Sequence, residues 1–340
     1  MSAVRLVRRI LITGASGYLG HRLVEALCAE EWVEAVVGLD IRRSACRHPK
    51  YRFFERDIRE PLKDMVGQHE IDSIVHLAYI MTPLHDRSAM EDVNMRGARN
   101  MLEAAGHEAV RYVLHVSSVT AYGFHADNPV PLTEDSPLRG NDDLTYAKNK
   151  RQIEALVRDF ARAHPSVSVG VLRPGFVLGP GHANPLAKHL LKKVVFLPRR
   201  TSPFQFLHVD DLLDVLVHFL EKKVRGVYNV AGEGTVDLPE MVKALGNIRI
   251  PLSWPSIYLF NQLFWLLRVR FITEVPSATL KGMVHPCVVT CDKLARETGV
   301  RLRFDSRGAF EAFAESVKHA RPSADEGGTD HCAGPTNQGP

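Results

Sequence analysis

The chain has 340 residues, of which 45% are hydrophobic and 24% are charged, and its formal net charge is +4. This length exceeds that of a typical single domain, and the composition is that of an ordinary globular protein. The 43 Lys and Arg residues are interspersed with 39 Asp and Glu residues, so the charge pattern does not favour a nucleic-acid partner. We therefore expect one large domain with a smaller second lobe.

Short apolar runs rich in β-branched and aromatic residues alternate with segments of helical periodicity. The runs lie at 9–13, 34–39, 51–54, 72–77, 111–116 and 168–172. Strands that alternate with helices pair in parallel through right-handed crossovers, so the order predicts an α/β fold with a doubly wound parallel sheet. We assign 1–180 to this domain, with contributions from about 205–235, and 181–320 to an interleaved smaller lobe. The tail 321–340 is polar and rich in Gly and Pro, and we expect it to be disordered.

Cysteine usage and the N-terminus bear on localisation. The five cysteines are odd in number and irregularly spaced, which is typical of a reducing compartment. The apolar segment at the N-terminus is too short for the core of a signal peptide and is predicted to be a strand. We therefore expect a cytoplasmic protein. Cys287 and Cys291 lack a second pair of metal-binding side chains, so we expect no metal site.

The most apolar long stretch is 256–272, SIYLFNQLFWLLRVRFI. Asn261, Gln262, Arg268 and Arg270 interrupt it, so it falls short of the ~20 apolar residues that a membrane span needs. Three interpretations remain open: a packed helix of the smaller lobe, the wall of an apolar substrate cleft, and a peripheral contact with a membrane surface.

A glycine motif, TGASGYLG, follows the first predicted strand and opens a helix. Gly14, Gly17 and Gly20 would let the backbone turn tightly and approach a pyrophosphate, while the helix N-terminus attracts that anion. Asp40 ends the second predicted strand, about 20 residues beyond the motif, where a carboxylate accepts both hydroxyls of an adenosine ribose. This pattern indicates a Rossmann-type nucleotide domain that prefers NAD, because Asp40 would repel the extra phosphate of NADP. Arg42 and Arg43 follow closely and would soften that exclusion.

Ten motifs in order resemble the extended short-chain dehydrogenase/reductase family, which includes NAD-dependent sugar epimerases and dehydratases. They are TGASGYLG, Asp40, RDIR (56–59), HLAY (76–79), Asn94, SSVTAYG (117–123), YAKNK (146–150), LRPGFVLGPG (172–181), HVDD (208–211) and YNVAG (228–232). The resemblance extends from roughly residue 8 to residue 235 and leaves the substrate open.

The resemblance implies a role for each matching position. The implied contacts are Gly14, Gly17, Tyr18 and Leu19 at the pyrophosphate, Asp40 and Ile41 at the adenosine ribose, Asp57 and Ile58 at the adenine, Leu77, Ala78 and Tyr79 along the cofactor cleft, and Pro174 at the nicotinamide. Asn94 would brace the strand beside the cleft. The resemblance also implies that Lys150 holds the nicotinamide ribose and that Ser118 hydrogen-bonds the substrate oxygen.

Tyr146 and Lys150 are four residues apart at the start of a predicted helix, so they share one face. A phenol with an ordinary pKa near ~10 is a poor base at neutral pH. We therefore expect the Lys150 ammonium to lower the pKa of Tyr146, so that the phenol exchanges a proton with a substrate hydroxyl while hydride passes to or from NAD. Ser118, Tyr146 and Lys150 are the predicted catalytic residues. Asp210 and Asp211 are expected to cap the helix that follows His208.

Departures from the family pattern limit the reactions that we expect the chain to catalyse. Dehydratases of the family resemble one another in carrying an Asp-Glu pair directly after the catalytic Ser or Thr. This sequence has Val119 and Thr120 at those two positions. Phe204 and Phe176 stand where nucleotide-sugar epimerases usually carry an Arg and an Asn that face the substrate diphosphate, although Arg199 and Arg200 lie close enough to substitute.

We therefore expect an NAD-dependent oxidoreductase that acts on a secondary alcohol or ketone of a moderately apolar small molecule, steroid-, isoprenoid- or acyl-like, with Phe176 and Phe204 at the substrate. A nucleotide-sugar epimerase is the alternative, and a redox sensor that keeps the nucleotide site is a third, which the intact catalytic residues disfavour. The resemblance also implies a homodimer formed through helices in 87–106 and 146–163.

Overall fold

The central sheet is parallel and doubly wound. A computed structural model describes residues 8–181, 184–269 and 272–320. Its strands are β1 Arg8–Thr13, β2 Val33–Asp40, β3 Tyr51–Glu55, β4 Ser73–His76, β5 Tyr112–Val116, β6 Ser168–Pro174, β7 Phe176–Leu178, β8 Val194–Pro198, β9 Phe206–His208, β10 Gly226–Val230 and β11 Ile248–Leu252. Seven of these described strands form one sheet in the order β3-β2-β1-β4-β5-β6-β10, and each neighbouring pair is parallel. The predicted fold class is confirmed.

Helices cover both faces of the sheet. They are α1 Tyr18–Ala29, α2 Lys63–Gln68, α3 Arg87–Glu91, α4 Gly97–Ala105, α5 Thr145–Ala163, α6 Pro185–Leu190, α7 Val209–Lys222, α8 Leu238–Ala244, α9 Trp254–Leu266, α10 Lys281–Val284, α11 Asp292–Thr298 and α12 Ser306–Ala320. Helices α1 and α7 bury Leu27 and Phe219 in a core on one face. Helices α4 and α5 bury Met101 and Ile153 in a second core on the other face. The near-continuous burial of strands β1, β4 and β5 follows from this double cover.

The strand order reverses between β1 and β4, and the crevice at the carboxyl ends of these strands is the usual ligand site of such sheets. The glycine loop between β1 and α1 lies at this edge. So do the segments that follow β4, β5 and β6. The predicted cofactor and catalytic residues therefore converge on one edge of the sheet.

The smaller lobe has its own apolar core, which includes Leu190, Leu197, Met241 and Phe310. Strands β8 and β11 pair in parallel within it, and β7 pairs with β9 beside the main sheet. Strand β10 returns from this part of the chain to the edge of the main sheet. The division at about 180 stays a prediction, and the expected disorder of 321–340 lies outside the described residues.

The cap of α7 differs from the prediction. The N-cap residue is His208, whose Nδ1 accepts the amide of Asp210 at 3.3 Å. The carboxylate of Asp211 is buried and accepts the backbone amides of Arg303 and Phe304, both at 3.0 Å. Because these amides come from a distant part of the chain, the local pattern of acids after His208 was misleading.

Candidate functional site

The glycine loop is held tightly against the segment after β4. Gly14 has a φ of 75°, and a methyl group added to it would lie 2.7 Å from the amide nitrogen of Ala78. A methyl group on Gly20 would lie 2.1 Å from the carbonyl oxygen of Gly14, so α1 begins directly on the loop. Gly17 is the N-cap of α1 and contributes no side-chain cap. This geometry leaves the helix N-terminus suited to an anion such as a pyrophosphate.

Tyr18 and Leu19 begin α1. The hydroxyl of Tyr18 donates to the carbonyl of Pro180 at 2.9 Å, and Leu19 packs against the core below the loop. Tyr18 thus ties the glycine loop to the loop that follows β7.

Asp40 is pre-oriented by backbone amides. Its carboxylate is 8% exposed and accepts the amides of Ser16 at 3.1 Å and Arg42 at 3.0 Å. The Arg42 Nε atom lies 3.6 Å from the same carboxylate, whereas Arg43 pairs with Glu55 at 3.3 Å. Of the two arginines that were expected to soften the exclusion of NADP, Arg42 alone is placed against Asp40.

The residues expected at the adenosine ribose and at the adenine differ in exposure and in their contacts. Ile41 is 65% exposed beside Asp40, where an apolar side chain suits a planar ring. Asp57 pairs with Arg59 at 2.6 Å, and hydrogen bonds from Arg59 hold the pKa of Asp57 below its ordinary value. Ile58 is 4% exposed and packs against Gly97 of α4. The side chain of Ile58 therefore serves the core, and only its backbone can face a nucleotide.

Two buried polar side chains fix the segment after β4. Thr13 accepts the amide of Ala78 at 3.2 Å. Asn94 is fully buried, accepts the amide of Ile80 at 2.8 Å and donates to its carbonyl at 3.3 Å. Asn94 lies in a π-helical turn, Asp92–Arg96, a distortion that is frequent at functional sites. The bracing role that the resemblance implied for Asn94 thus has a geometric counterpart.

Ser118, Tyr146 and Lys150 come together above the ends of β4 and β5. Ser118 follows β5 and caps a short 3₁₀ turn, Val119–Tyr122, by accepting the amide of Thr120. Tyr146 and Lys150 lie on the first turns of α5. The Lys150 Nζ atom lies 5.7 Å from the ring centroid of Tyr146 and donates to the carbonyl of Val116 at 2.9 Å. That hydrogen bond connects α5 to the end of β5, directly before the segment that contains Ser118.

Tyr79 links this group to the glycine loop. Its ring lies edge-on to Tyr146, with centroids 5.3 Å apart, and the Lys150 ammonium lies 3.9 Å from the Tyr79 centroid. Tyr79 directly follows Ala78, which contacts Gly14. The predicted cofactor cleft and the predicted catalytic residues are therefore continuous in space. Leu77 packs against the core at the same strand end, and Pro174 is buried at the end of β6.

The pKa values of Tyr146 and Lys150 differ from the expectation. Burial raises the pKa of Tyr146 to about 12, and a hydrogen bond with Ser118 opposes this only in part. Burial lowers the pKa of Lys150 to about 7, against the charge of Glu154. The expected lowering of the Tyr146 pKa by Lys150 is not seen, because loss of hydration outweighs the Ser118 hydrogen bond at Tyr146 and the charge of Glu154 at Lys150.

A buried ion pair lies next to the predicted catalytic residues and was missed in the sequence. Arg173 and Glu154 approach to 2.7 Å, with 6% of each side chain exposed. Burial alone would lower the pKa of Arg173, but hydrogen bonds to Glu154 raise it above its ordinary value. Glu154 also accepts the hydroxyl of Ser117 at 2.5 Å. A signal was present, because Glu154 continues the i, i+4 spacing of Tyr146 and Lys150 along α5.

Two histidines beneath Lys150 were also missed. His76 of β4 and His115 of β5 are paired across neighbouring strands, and their rings are stacked with centroids 6.2 Å apart. Burial lowers the pKa of His76 to about 3, and it lowers the pKa of His115 as well. Both rings are therefore neutral, and they form a polar but uncharged floor under the Lys150 ammonium.

The aromatic residues proposed for substrate binding form a cluster. Phe176 lies 5.0 Å from Phe204 and 6.4 Å from Phe124, measured between ring centroids. Phe204 is only 4% exposed, and its backbone pairs with Val236. The structure therefore does not favour direct contact between Phe204 and a substrate. Phe176 is the half-buried member of the pair.

A family model and several curated proteins match the sequence of this chain. A family model described as the NAD-dependent epimerase/dehydratase family matches residues 10–231. A Mycobacterium tuberculosis protein described as uncharacterized is 25% identical over 313 residues, covering 89% of this chain and 82% of its own length. UDP-glucuronic acid decarboxylase 5 of Arabidopsis thaliana is 27% identical over 270 residues, 72% of this chain and 76% of the relative. UDP-glucose 4-epimerase of Erwinia amylovora is 30% identical over 195 residues, 53% and 54% of the respective chains.

Solved structures share the fold. The Bordetella bronchiseptica enzyme WbmG in complex with NAD superposes with a TM-score of 0.71 at 20% identity, covering 94% of this chain and 97% of that one. UDP-glucose 4-epimerase of Thermotoga maritima, solved with UDP-glucose, gives a TM-score of 0.71 at 18% identity, with coverage of 92% and 99%. Sequence identity this low supports the shared fold and leaves the substrate open.

Proposed function

The chain belongs to the NAD-dependent epimerase/dehydratase family, and we propose that it transfers hydride between NAD and a secondary alcohol or ketone, with Tyr146 as general acid and base. The convergence of Ser118, Tyr146 and Lys150 beside the glycine loop carries this proposal. The narrow turn at Gly14, the amide-held carboxylate of Asp40 and the buried ammonium of Lys150 fit a dinucleotide laid across the crevice. NAD supplies the hydride acceptor when bound.

The side chains divide the remaining work. Tyr146 exchanges a proton at its phenolic oxygen with the substrate oxygen. The Ser118 hydroxyl donates to that substrate oxygen and steadies charge on it, and Lys150 holds the nicotinamide ribose. Because the pKa of Tyr146 is about 12, the phenol is protonated at neutral pH and suited to donate a proton during ketone reduction. The opposite direction requires that proton to leave first.

The first form of this proposal is a moderately apolar substrate, steroid-, isoprenoid- or acyl-like. Val119 and Thr120 provide no carboxylates next to Ser118, so the chain lacks the groups that dehydratases carry there. Phe176 stands where the resemblance puts a residue that faces the substrate diphosphate, and it packs against other phenyl rings rather than beside a cation. The small cleft beside Tyr146 is lined by apolar Leu84, Leu144 and Pro276 together with charged Arg87 and Asp143.

A nucleotide-sugar epimerase is the second candidate. Two of the curated relatives are named as a UDP-glucuronic acid decarboxylase and a UDP-glucose 4-epimerase, and two structural neighbours were solved with UDP-glucose. An epimerase returns the hydride to the same carbon on its other face, so it forms no net NADH and purifies with tightly held nucleotide. A dehydrogenase exchanges its cofactor and accumulates NADH.

The experiment is NADH detection against sterols, isoprenoid alcohols, acyl thioesters and nucleotide sugars, alongside nucleotide analysis of the purified protein. NADH formation with an apolar alcohol supports the first candidate. Isomerisation of a UDP-sugar without net NADH replaces it with the second.

We also propose a cytoplasmic homodimer that pairs through the helices in 87–106 and 146–163, and analytical ultracentrifugation tests the dimer. None of the described helices is both long and apolar enough to cross a bilayer.

A further inference from the structure

Helix α9 presents a row of exposed leucines. Leu259, Leu263 and Leu266 are 71%, 51% and 67% exposed, and Leu267, directly after the helix, is 62% exposed. These positions follow the i, i+4, i+7, i+8 spacing that places side chains on one side of a helix. Ile257, the residue of α9 that is buried, falls on the opposite side. We call these four residues the leucine face.

The leucine face adjoins the candidate active site. Trp265 of α9 stacks on His85, with ring centroids 3.9 Å apart. The neighbouring Leu84 is 39% exposed and also lines the cleft beside Tyr146. Met81, in the same loop, is 41% exposed. Apolar surface therefore extends from α9 to the entrance of the cleft.

Two sequence segments that contain α9 and the strands supporting it carry positively charged side chains and no acidic ones. Phe260 of α9 packs against Phe196 of β8, with centroids 5.7 Å apart, and β8 pairs with β11. The segments 184–209 and 241–269, which contain these elements, include no Asp or Glu. Their cations are Lys188, Lys192, Lys193, Arg199, Arg200, Lys243, Arg249 and Arg268. Glu274, outside these segments, pairs with Lys188 at 3.9 Å. The other seven cations beside exposed leucines are the composition of a surface that faces anionic lipid.

We propose that the leucine face docks on an anionic phospholipid bilayer, with the surrounding cations at the headgroups and the cleft of Tyr146 opening toward the lipid. A second copy of the chain is a poorer occupant, because a two-fold interface sets a surface against itself and would bring these cations together. The inference goes beyond the proposed function, and binding is measured without turnover. Delivery of an apolar substrate from the bilayer follows from it.

The experiment is co-sedimentation of the full chain with vesicles of phosphatidylcholine alone or mixed with phosphatidylglycerol. Binding is expected to require the anionic lipid and to weaken with added salt. Leu263→Gln/Leu266→Gln removes apolar contact, and Arg199→Glu/Arg200→Glu reverses exposed charge. Each pair is expected to weaken binding about tenfold or more.

Matched controls separate the surface from general effects. Val130→Gln alters a side chain that is 60% exposed elsewhere, and Arg296→Glu/Arg301→Glu reverses two exposed cations outside the two segments. Both controls should bind vesicles like the unchanged chain, and all variants should melt normally by circular dichroism. Absence of vesicle binding, or equal binding by the leucine and control variants, overturns the proposal. Self-association that Leu263→Gln/Leu266→Gln abolishes would assign the face to a second copy.

Discussion

Lys150→Met is expected to stabilise the nucleotide-free chain at neutral pH while removing activity. Burial lowers the pKa of Lys150 from its ordinary 10.5 to about 7. The unfolded chain therefore binds a proton between these values that the folded chain does not, and stability rises with pH across that window. At about 1.4 kcal/mol per pKa unit, this proton costs the folded chain roughly 4 kcal/mol at pH 7.

Methionine has a similar length and no charge, so it removes this cost but also the hydrogen bond to the Val116 carbonyl, worth about 1 kcal/mol. We expect a net gain of about 3 kcal/mol in the free energy of unfolding at pH 7. The gain should shrink as pH rises and be gone by about pH 10, where the unfolded side chain also loses its proton. Loss of catalysis together with a gain in stability would show that the site retains Lys150 for function.

The assay is urea unfolding at pH 7 and near pH 9.5, followed by circular dichroism. Lys148→Met is the matched control on the same helix, because Lys148 forms a partly exposed pair with Glu91 at 2.8 Å. That control should change stability by less than about 1 kcal/mol. Equal stability of Lys150→Met and the unchanged chain at both pH values would refute the burial of a costly charge at this position.

Three further substitutions test separate parts of the site. Tyr146→Phe should lower turnover about 10²–10⁴-fold with NAD affinity preserved, because only the proton-transfer group is lost; undiminished turnover would exclude Tyr146 from the mechanism. Asp40→Ala should weaken NAD and improve relative use of NADP, as measured by fluorescence titration of both cofactors, and an unchanged preference would contradict the assignment of that carboxylate. Glu154→Gln should destabilise the fold by about 3–5 kcal/mol, because it removes the charge that pairs with buried Arg173; a urea midpoint like that of the unchanged chain would show that the pair is dispensable.

The main sheet was predictable because its signals are local and repeated. Strand-length apolar runs alternate with helical periodicity, and each predicted strand overlaps an observed one, as 34–39 does with Val33–Asp40. The glycine motif fixed the first crossover, since Gly14 adopts a backbone conformation that other residues rarely tolerate. The carboxyl edge of the sheet then gathered the predicted side chains.

Properties that depend on burial were not predictable. The pKa values of Tyr146 and Lys150 follow from how much water the surrounding elements exclude, and sequence spacing does not report that. The partners Glu154 and Arg173 are 19 positions apart and meet through the packing of α5 on the sheet. The i, i+4 spacing along α5 points to Glu154, but no local pattern points to Arg173 as its partner.

Ile58 and Phe204 show a different limit. Each lies in or beside a motif that the resemblance assigns to the site, but its side chain packs into a core. The surroundings of a side chain are set by tertiary packing, which the motif does not report. The segment 256–272 shows the converse, because a packed helix was one of its three open interpretations and its leucines are exposed.

The central claim is that Tyr146 moves the substrate proton while NAD accepts or returns hydride beside it. The most direct measurement compares NADH formation by the unchanged chain and by Tyr146→Phe, with the alcohol identified from the substrate panel, after calorimetry has established NAD binding to both. We predict that both proteins bind NAD and that only the unchanged chain forms NADH at a substantial rate. Equal rates, or failure of the unchanged chain to bind NAD, would contradict the account.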